Sequence, residues 1–257
     1  MPGVKIVGEE AFIECEALID VECGKLQIIG KTAFADCISL GNIILSSIRI
    51  AERAAFGDCN VLTDVRFGSK LKRIEEYVFC RCISLERITI PLKDGIIADT
   101  DVPEDNIFQG CGNFVHVDLV EGELQESIAA LQLEEWRNDM SEEINSINQI
   151  LPGARAGYFY DDDDEDYGEK ARVIRRWIRS VLRKIIHYQA EHQHILNEAA
   201  TTLQLALPQD IVMNNALPFL TLPPHTFEVD NDDEDEEENS DDEDESSESS
   251  LGNEEEE

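Results

Sequence analysis

The fold is decided by the stretch Ile29-Gly30-Lys31-Thr32-Ala33-Phe34-Ala35-Asp36-Cys37-Ile38-Ser39-Leu40, which contains the phrase Ala-Phe-x-x-Cys-x-x-Leu. The phrase recurs, with small changes, around phenylalanines that step along the chain by 22, 22, 23 and 29 residues: Phe12, Phe34, Phe56, Phe79 and Phe108. Each is followed by a cysteine three positions later and a large apolar residue six positions later. Self-similarity with a period of about 20–50 residues is the signature of a solenoid.

Each repeat also contains a short segment of period two, which is the pattern of a strand with one buried face. The side chains predicted to point inward are apolar: Val21, Cys23, Ile43, Leu45, Val65, Phe67, Ile88, Ile90, Val117 and Leu119. A coil of this size cannot bury its own apolar face, so neighbouring coils must stack on one another. The sequence therefore predicts a solenoid of short parallel strands with about five coils of 22–29 residues.

The outward residues of the same strands form the candidate protein-binding surface. They are Asp20, Glu22, Asn42, Asp64, Arg66, Arg87, Thr89, His116 and Asp118, with Ile44 in the same outward set. Repeat proteins commonly bind partners on such an extended face, although simple solvation of an open sheet explains the polarity equally well. The longer connection from Pro91 to Asn106, rich in Asp, Gly and Pro, is predicted to be a loop on the rim.

The pattern Ile-Gly-x-x-Ala-Phe-x-x-Cys-x-x-Leu of residues 29–40 resembles the leucine-rich repeats of the BspA-like class, and the resemblance covers roughly residues 4–121. It implies a leucine-rich-repeat solenoid that acts as a binding scaffold, and it implies no catalytic residues. Members on bacterial surfaces are adhesins or antigens, but no secretory signal precedes the first repeat here, so that role is not carried over. Because the repeats begin almost at Met1 without a capping segment, we expect a truncated start or cover from another chain.

The spacing of apolar residues becomes helical after the repeats. Leu124 to Leu151 is predicted to be one helix, ended by Pro152-Gly153, and Glu169 to Leu207 a second, longer one. The period near 3.5 favours a long antiparallel α-helical hairpin over 122–207, with an acidic loop near 158–168 at its tip. We expect the hairpin to cap the last coil; self-association through the surplus apolar stripe of the longer helix is the alternative.

Several segments of this region are similar to the sequence that follows such repeats in many diatom leucine-rich-repeat proteins. They are Phe114-Val115-His116-Val117-Asp118-Leu119-Val120, Trp136-Arg137-Asn138-Asp139-Met140 and Ile147-Asn148-Gln149-Ile150-Leu151-Pro152. This resemblance spans roughly 107–207. It implies that the repeats and the helices form one recurring architecture, and it supplies no function.

The formal net charge of −35 is concentrated in particular segments. Residues 1–121 carry −8, 122–168 carry −11, 169–200 carry +4, 201–227 carry −1 and 228–257 carry −19. The last segment is predicted to be a disordered acidic tail, joined by a linker at 208–227. Such a balance disfavours nucleic acid as a partner and favours other proteins, some of them basic. No apolar run is long enough to span a bilayer, so no membrane partner is expected. The absence of a signal, and the use of cysteine at one repeated core position, predict an intracellular protein, cytoplasmic or nuclear.

Two acidic or histidine-containing groups could hold a metal, and for both the solvated interpretation is favoured. His187, Glu191 and His194 lie at i, i+4 and i+7 on one predicted helix face, without another visible ligand. The run Asp161–Asp166 fails the EF-hand template, because Tyr167 stands at the glycine position and Val173 at the final glutamate position. The sequence therefore predicts no metal and no other cofactor.

The cysteines and the basic helix also have structural interpretations. Cysteines at equivalent positions of successive coils are predicted to be small buried core residues, with Cys80 the likelier exposed thiol among the two outside the ladder, the other being Cys23. The basic first half of the longer helix is expected to dock on the chain's own acidic loop or tail rather than on phosphate or membrane; its residues are Arg172, Arg175, Arg176, Arg179, Arg183 and Lys184.

Three functions follow from these features. The first is a non-catalytic intracellular protein–protein interaction scaffold that uses the repeat sheet face. The alternative is an acidic-tail chaperone or regulator of basic proteins such as histones, because a leucine-rich solenoid with an acidic tail is similar in layout to the leucine-rich acidic nuclear phosphoproteins. A metal-dependent enzyme built on the His187 face is the weakest hypothesis. The sequence predicts that the protein is not an enzyme.

Overall fold

The structure is a computed structural model that describes residues 3–98, 106–120, 133–157 and 168–205. The described residues form eight short strands and then two helices. In chain order the strands are β1 (Ile6–Val7), β2 (Ile28–Ile29), β3 (Asn42–Leu45), β4 (Ile50–Ala51), β5 (Asp64–Phe67), β6 (Arg73–Ile74), β7 (Arg87–Ile90) and β8 (His116–Leu119). The predicted acidic loop (161–166), linker (208–227) and acidic tail (228–257) lie outside the described residues.

The strands form two parallel sheets, each running along the stack of coils. The long sheet has the order β3-β5-β7-β8, and the short sheet has the order β1-β2-β4-β6. In both sheets a residue pairs with the residue at the same repeat position of the next coil, so that Ile43 faces Val65 and Ile28 faces Ile50. The prediction of a parallel solenoid is confirmed, with about four turns in the long sheet.

The alternation of apolar and polar residues explains the long sheet. Every second residue of β3, β5 and β7 is buried, and the residues between them are exposed or half-buried. The short sheet was not predicted as strands, because two-residue segments such as Ile28–Ile29 are too short to show a period. They pair because stacking of the coils places their backbones side by side.

The phenylalanines form a continuous stack through the centre of the solenoid. Successive rings from Phe12 to Phe108 have centroids 5.2, 5.5, 5.8 and 5.7 Å apart and lie within 8° of parallel. Burying one such side chain contributes about 1.5–3 kcal/mol, and an aromatic pair adds about 0.5–1.5 kcal/mol. The stack therefore ties each coil to the next.

Each coil turns on non-glycine residues in the left-handed region of φ. They stand two positions before and two after the phenylalanine: Glu10, Glu14, Thr32, Asp36, Ala54, Asp58, Tyr77 and Arg81, with φ between 51° and 60°. These residues direct their amides along the stack. The N–H of Ala54 donates to the Glu76 carbonyl at 3.0 Å, and the N–H of Asp58 donates to the Cys80 carbonyl at 2.8 Å. The left-handed conformation of these residues thus allows their N–H groups to form hydrogen bonds between coils.

The first coil differs from its prediction. Asp20 to Cys23 forms no strand, although the alternation predicted one, and Val21 is only half-buried. Phe12, Cys15 and Leu18 are half-buried too, whereas Phe34, Cys37 and Leu40 have no exposed surface. A segment packed from one side gains less from a regular ladder, which explains why four rather than five coils contribute to the long sheet. At the other end, Leu119 is half-buried rather than fully inward.

The predicted rim loop after Pro91 is in part a strand-like continuation of the core. Ile96, Ile97 and Ala98 are buried, and Ile97 forms a parallel bridge with Ile74 of β6. The prediction was wrong for these residues because their apolar side chains were outweighed by the Asp, Gly and Pro around them. Residues 99–105 lie outside the described residues.

The helices are α1 (Glu134–Ile150), followed by a 3-10 turn (Leu151–Gly153), and α2 (Lys170–Gln204). Trp136 stacks on Tyr188 with centroids 5.1 Å apart, and the Lys184 ammonium lies 2.8 Å from Asp139. Further along α1, the Trp177 N–H donates to the Glu143 carbonyl. Residues later in α1 therefore contact residues earlier in α2. The two described helices therefore run antiparallel. Residues 121–132, where the first helix was predicted to begin, lie outside the described residues.

The helical region packs on the last coil. The buried ammonium of Lys170 donates to the Phe114 carbonyl at 2.6 Å and to the Leu151 carbonyl at 3.4 Å, and burial lowers the pKa of Lys170. The N–H of Gly110, at the left-handed position of its coil, donates to the carbonyls of Ala156 and Gly157. The segment after α1 thus continues the hydrogen-bond ladder between coils beyond the last repeat.

Replacing Ala54 by glycine should stabilise the protein. The left-handed conformation disfavours a Cβ, and glycine removes that cost while keeping the N–H that bonds Glu76. We expect Ala54→Gly to raise the free energy of unfolding by about 0.5–1 kcal/mol, measured by urea unfolding. The matched control Ala55→Gly, at a fully buried position without positive φ, should lower it by about 1 kcal/mol or more. Equal losses in both variants would contradict this account.

Replacing Lys170 by alanine should weaken the junction between helices and solenoid. The variant leaves two buried carbonyls without their donor, and hydrogen bonds to charged groups contribute about 1.5–3 kcal/mol. We expect Lys170→Ala to lower the free energy of unfolding by about 2 kcal/mol in urea. Arg176→Ala, an exposed cation on the same helix, should change it by less than about 0.5 kcal/mol. Equal effects of the two substitutions would show that the Lys170 contacts do not hold the junction.

Candidate functional site

The candidate site is the outer face of the long sheet, built from the outward residues of β3, β5, β7 and β8. The parallel register aligns these residues in two rows across the strands. One row is Asn42, Asp64, Arg87 and His116, and the other is Ile44, Arg66, Thr89 and Asp118. The structure therefore brings seven of the nine predicted surface residues onto one face. Asp20 and Glu22 are exposed in the neighbouring coil but lie outside the strands.

Ion pairs organise the charged groups of this face. The Arg66 guanidinium donates to Asp64 on its own strand, at 2.6 Å, and Arg87 donates to Asp118 across the β7–β8 pair, at 2.8 Å. The hydrogen bond that Arg66 donates to Asp64 raises the pKa of Arg66. Pairing fixes the direction of side chains that would otherwise move freely, so the face presents charges at set positions.

The two ends of the face differ in exposure. Ile44, on the outer strand β3, is apolar but 62% exposed, and it lies among polar residues. On β8, His116 and Asp118 are half-buried, and the Val117 N–H donates to Asn148 of α1 at 2.9 Å. The helix thus lies beside the last strand and leaves the first three strands of the sheet more open. The alternation predicts that Ile44 points outward, but the degree of its exposure depends on what lies beside the sheet.

The cysteines form a second repeated feature, and they do more than fill space. The thiols of Cys37, Cys59, Cys82 and Cys111 each donate to the carbonyl of the phenylalanine one coil earlier, at 2.9–3.2 Å. The sequence predicted only small buried residues there. Each of these carbonyls also accepts the backbone N–H three residues later, so the thiol is its second donor. An alanine could not supply this second hydrogen bond, which explains the use of cysteine.

The prediction that Cys80 is an exposed thiol is wrong. Cys80 is 8% exposed, and burial raises its pKa to about 11. It lies directly after the stacked Phe79, in the same turn position as the buried residues Ala35 and Gly57 of the preceding coils. Among the cysteines, which are all described, Cys15 is the one that is only half-buried.

The candidate metal sites named from the sequence do not form a metal-binding arrangement in the described residues. His187, Glu191 and His194 are exposed on α2, and His194 lies 3.5 Å from Glu198. In the described part of the chain, no group of three His, Cys, Asp or Glu residues could hold a metal ion. The run Asp161–Asp166 lies outside the described residues. None of the described helices is long and apolar enough to cross a membrane.

The basic half of α2 contacts the solenoid and α1. Arg175 donates to the Ala98 carbonyl, Arg179 lies 3.3 Å from Asp94, and Lys184 contacts Asp139 and Glu143. Part of this charge is therefore matched by acidic groups that sequence analysis did not identify. Arg176 and Arg183 are exposed.

An open cleft at the start of α1 has a different character. Its volume is about 710 Å³, and its walls are Glu134, Glu135, Trp136, Asn138, Asp139, Glu142 and Tyr188. The Tyr188 hydroxyl donates a hydrogen bond to Asp139. Burial is the larger cause and this hydrogen bond the smaller cause of a rise in the pKa of Tyr188 to about 12. Lys184 and Tyr188 lower the pKa of Asp139. Carboxylates beside stacked aromatic rings are chemically suited to a cationic side chain.

Comparison with known proteins agrees with this architecture. Residues 2–115 match, in six copies, the family model described as "BspA type Leucine rich repeat region". This match covers the repeat region and confirms the resemblance to BspA-type leucine-rich repeats that the sequence pattern predicted. A comparison with curated proteins finds no match.

Three solved structures are similar to the chain. A leucine-rich cell surface protein from Faecalibacterium prausnitzii is 22% identical, with 48% of this chain and 31% of that one covered and a TM-score of 0.34. A leucine-rich repeat protein from Bacteroides ovatus is 24% identical, with 46% and 29% covered and a TM-score of 0.36. The leucine-rich repeat protein of T. pallidum is 20% identical, with 52% and 80% covered and a TM-score of 0.33. The chain thus spans about a third of the length of the first two.

The buried thiols should make the protein sensitive to alkaline pH. Burial raises the pKa of Cys23 and Cys37 to about 11 and raises those of Cys59, Cys82 and Cys111 further. In the unfolded chain thiols titrate near pH 8.5, so above that pH the unfolded state binds fewer protons and stability falls as pH rises. Each thiol contributes a slope of up to about 1.4 kcal/mol per pH unit, measurable by urea unfolding under reducing conditions from about pH 7 to 10.5.

A serine variant tests the assignment of this slope. Cys59→Ser keeps a donor for the Phe34 carbonyl but no longer titrates, so its stability should fall less steeply above pH 8.5 than that of the unsubstituted protein. Cys15→Ser, at the same repeat position but half-buried, controls for introducing a hydroxyl. An unchanged slope in Cys59→Ser would exclude the buried thiol as its source.

Proposed function

We propose that the protein is a non-catalytic interaction scaffold that binds a partner protein on the outer face of its long sheet. The observation that carries the proposal is the register, which places Asn42, Asp64 and Arg87 in one row and Ile44, Arg66 and Thr89 in the next. The leucine-rich repeat fold commonly mediates protein–protein interaction, and the extended surface of stacked repeats is where such proteins bind.

The chemistry of the face supports recognition of another protein. Ile44 supplies an exposed apolar contact, and the ion pairs Asp64–Arg66 and Arg87–Asp118 lie within the same two rows. Paired charges set the orientation and specificity of a complex, whereas apolar residues at its centre supply much of the affinity. Carboxylates held by guanidinium groups are also poorly placed to act as general bases, which favours binding over catalysis.

The second candidate function is a chaperone or regulator of basic proteins such as histones, acting through acidic surfaces. The acidic cleft with Trp136 and Tyr188 favours it, since carboxylates and aromatic rings both attract cations. The 19 acidic residues of segment 228–257 would add to that attraction. Binding of this kind should weaken steeply with salt, whereas binding on the mixed face of the long sheet should persist.

Three further proposals complete this account. The repeats at 1–121 and the helices at 122–207 act as one unit, in which the helices cover the last coil, as the contacts of Lys170 and Gly110 suggest. The protein works inside the cell, in the cytoplasm or the nucleus. Self-association through the longer helix remains a prediction, and Ile195 on that helix is 44% exposed.

Site-specific photo-crosslinking tests the proposed face. A photoreactive residue replaces Ile44 or Thr89 on the sheet face, and Glu14 or Asp58 on the opposite flank serves as the matched control. We expect discrete adducts with one partner protein from the sheet positions in native extracts, unchanged at moderate salt, and lost when Arg66→Asp and Arg87→Asp are added. Adducts that form only from the control positions, or that are insensitive to both substitutions, would contradict the proposal.

A further inference from the structure

The cations of the solenoid fall into two groups that differ in their contacts. Lys31, Arg53, Arg66, Arg81 and Arg87 each lie within 3.6 Å of a carboxylate. The other seven Lys and Arg side chains of the solenoid form no ion pair with any carboxylate of residues 3–98, 106–120, 133–157 or 168–205. All of them are exposed, and we call them the basic stripe: Lys5, Lys25, Arg49, Lys70, Lys72, Arg73 and Lys93.

The basic stripe occupies one place in the fold, namely the turns between the long and the short sheet. The backbones of Lys5, Gln27, Arg49 and Lys72 are hydrogen-bonded in series, since each N–H donates to the carbonyl one coil earlier at 2.7–2.8 Å. Arg73 pairs with Ile50 in the short sheet, and Lys93 reaches back to the Ser69 carbonyl at 2.9 Å. Stacking therefore gathers cations that are far apart in sequence.

Acidic residues are excluded from these turns. The turns at 24–28, 46–50, 68–73 and 91–97 contain one carboxylate, Asp94, whose side chain is 6% exposed and is paired with Arg179. The opposite side of the first coil has the reverse character, with Glu9, Glu10, Glu14 and Glu16. In the later coils that side carries both signs, as with Lys31 and Asp36. The basic stripe therefore gathers seven cations on one side of the coils, in a chain whose net charge is −35.

The spacing of the stripe makes its charges act together. Adjacent coils are about 4.8 Å apart, so four coils span about 14 Å. The Debye length at physiological ionic strength is about 8 Å, so neighbouring cations repel one another and jointly attract an anion. A row of negative charges in an extended segment would match this surface. A segment of five residues covers about 17 Å.

We propose that the basic stripe binds the chain's own acidic tail, residues 228–257. The tail contains no basic residue, and its uninterrupted run Asp232–Glu238 is long enough to follow the stripe across all four coils. An external polyanion, such as a nucleic acid or an anionic membrane, would have to approach against the charge of the whole protein. The tail is covalently attached, so its local concentration is on the order of millimolar.

The chain is long enough for this contact. Arg179 of α2 touches Asp94, the neighbour of Lys93 at one end of the stripe. From there α2 rises over about 39 Å to Leu205. The 22 residues from 206 to 227 span up to about 73 Å when extended, so the tail can return to the stripe with slack. In this arrangement a basic partner of the tail must compete with the stripe.

Paramagnetic relaxation in the full chain tests this proposal. A nitroxide is attached at Asn239→Cys, directly after the acidic run, in a Cys15→Ser background that removes the half-buried thiol. We expect the amide signals of Lys25, Arg49 and Lys72 to lose at least half their intensity at about 20 mM salt and to recover at about 500 mM. The amides of Glu14, Asp36 and Asp58, on the opposite side of the coils, should change little.

Charge reversal provides the matched comparison. The triple variant Lys70→Glu, Lys72→Glu, Arg73→Glu should abolish the broadening, whereas the control Lys31→Glu, Arg53→Glu, Arg81→Glu, with the same change in charge, should preserve it. Broadening that is equal on both sides, insensitive to salt, or retained in the stripe variant would overturn the proposal. If the stripe variant does not fold, the salt response of the unsubstituted stripe decides alone.

Two additions test the identity of the occupant. Spin-labelled chain mixed with isotope-enriched, unlabelled chain should leave the enriched stripe signals unchanged; broadening there would assign the contact to a second copy and overturn the intramolecular proposal. A heparin oligosaccharide should displace the tail only in large excess. Stoichiometric binding of heparin, without any broadening from the tail label, would reassign the stripe to an external polyanion.

Discussion

The structure depends on one constraint, namely that every coil must stack on the next in the same register. Left-handed residues such as Ala54 and Asp58 direct amides towards the neighbouring coil, and the phenylalanine beside them stacks on the phenylalanine of that coil. Neither contribution works alone, because the rings align only if the backbones are in register. The same register sets the rows of the candidate binding face and gathers the basic stripe.

The thiol ladder is part of this constraint. The four ladder cysteines, Cys37, Cys59, Cys82 and Cys111, each donate to the phenylalanine carbonyl of the preceding coil. The ladder therefore links the stack of rings to the backbone that bears it. The hydrogen bond requires a protonated thiol, and burial, which raises the pKa of these cysteines, favours that form. The repeated cysteines are therefore explained by packing and hydrogen bonding.

Much of the fold could be predicted from the sequence, because each repeat position has one dominant physical role. Phe34, Cys37 and Leu40 are fully buried, as the period required, and the alternation in β3, β5 and β7 identified the outward face. The short sheet could not be predicted, since its two-residue strands carry no period. Cys80 and Ile96–Ala98 were misjudged because their burial depends on neighbouring coils rather than on local sequence.

The candidate sites were likewise predictable only as far as they depend on local sequence. The sequence placed Asp64, Arg66, Arg87 and Asp118 on one face, but it could not show that they pair with each other. It also missed the basic stripe, because Lys5, Arg49 and Lys72 are separated by more than 20 residues and the overall charge is strongly negative. Residues distant in sequence come together only through the register.

Native-state hydrogen exchange tests the central claim of register-dependent stacking most directly. The amides of Thr32, Phe34 and Asp36 in one coil, and of Ala54, Phe56 and Asp58 in the next, all donate to a neighbouring coil. The account predicts that all six exchange slowly, with similar opening free energies close to that of global unfolding. Fast exchange at the left-handed positions Thr32 and Ala54, with slow exchange at the phenylalanines, would show that the left-handed residues do not hold the register and would contradict it.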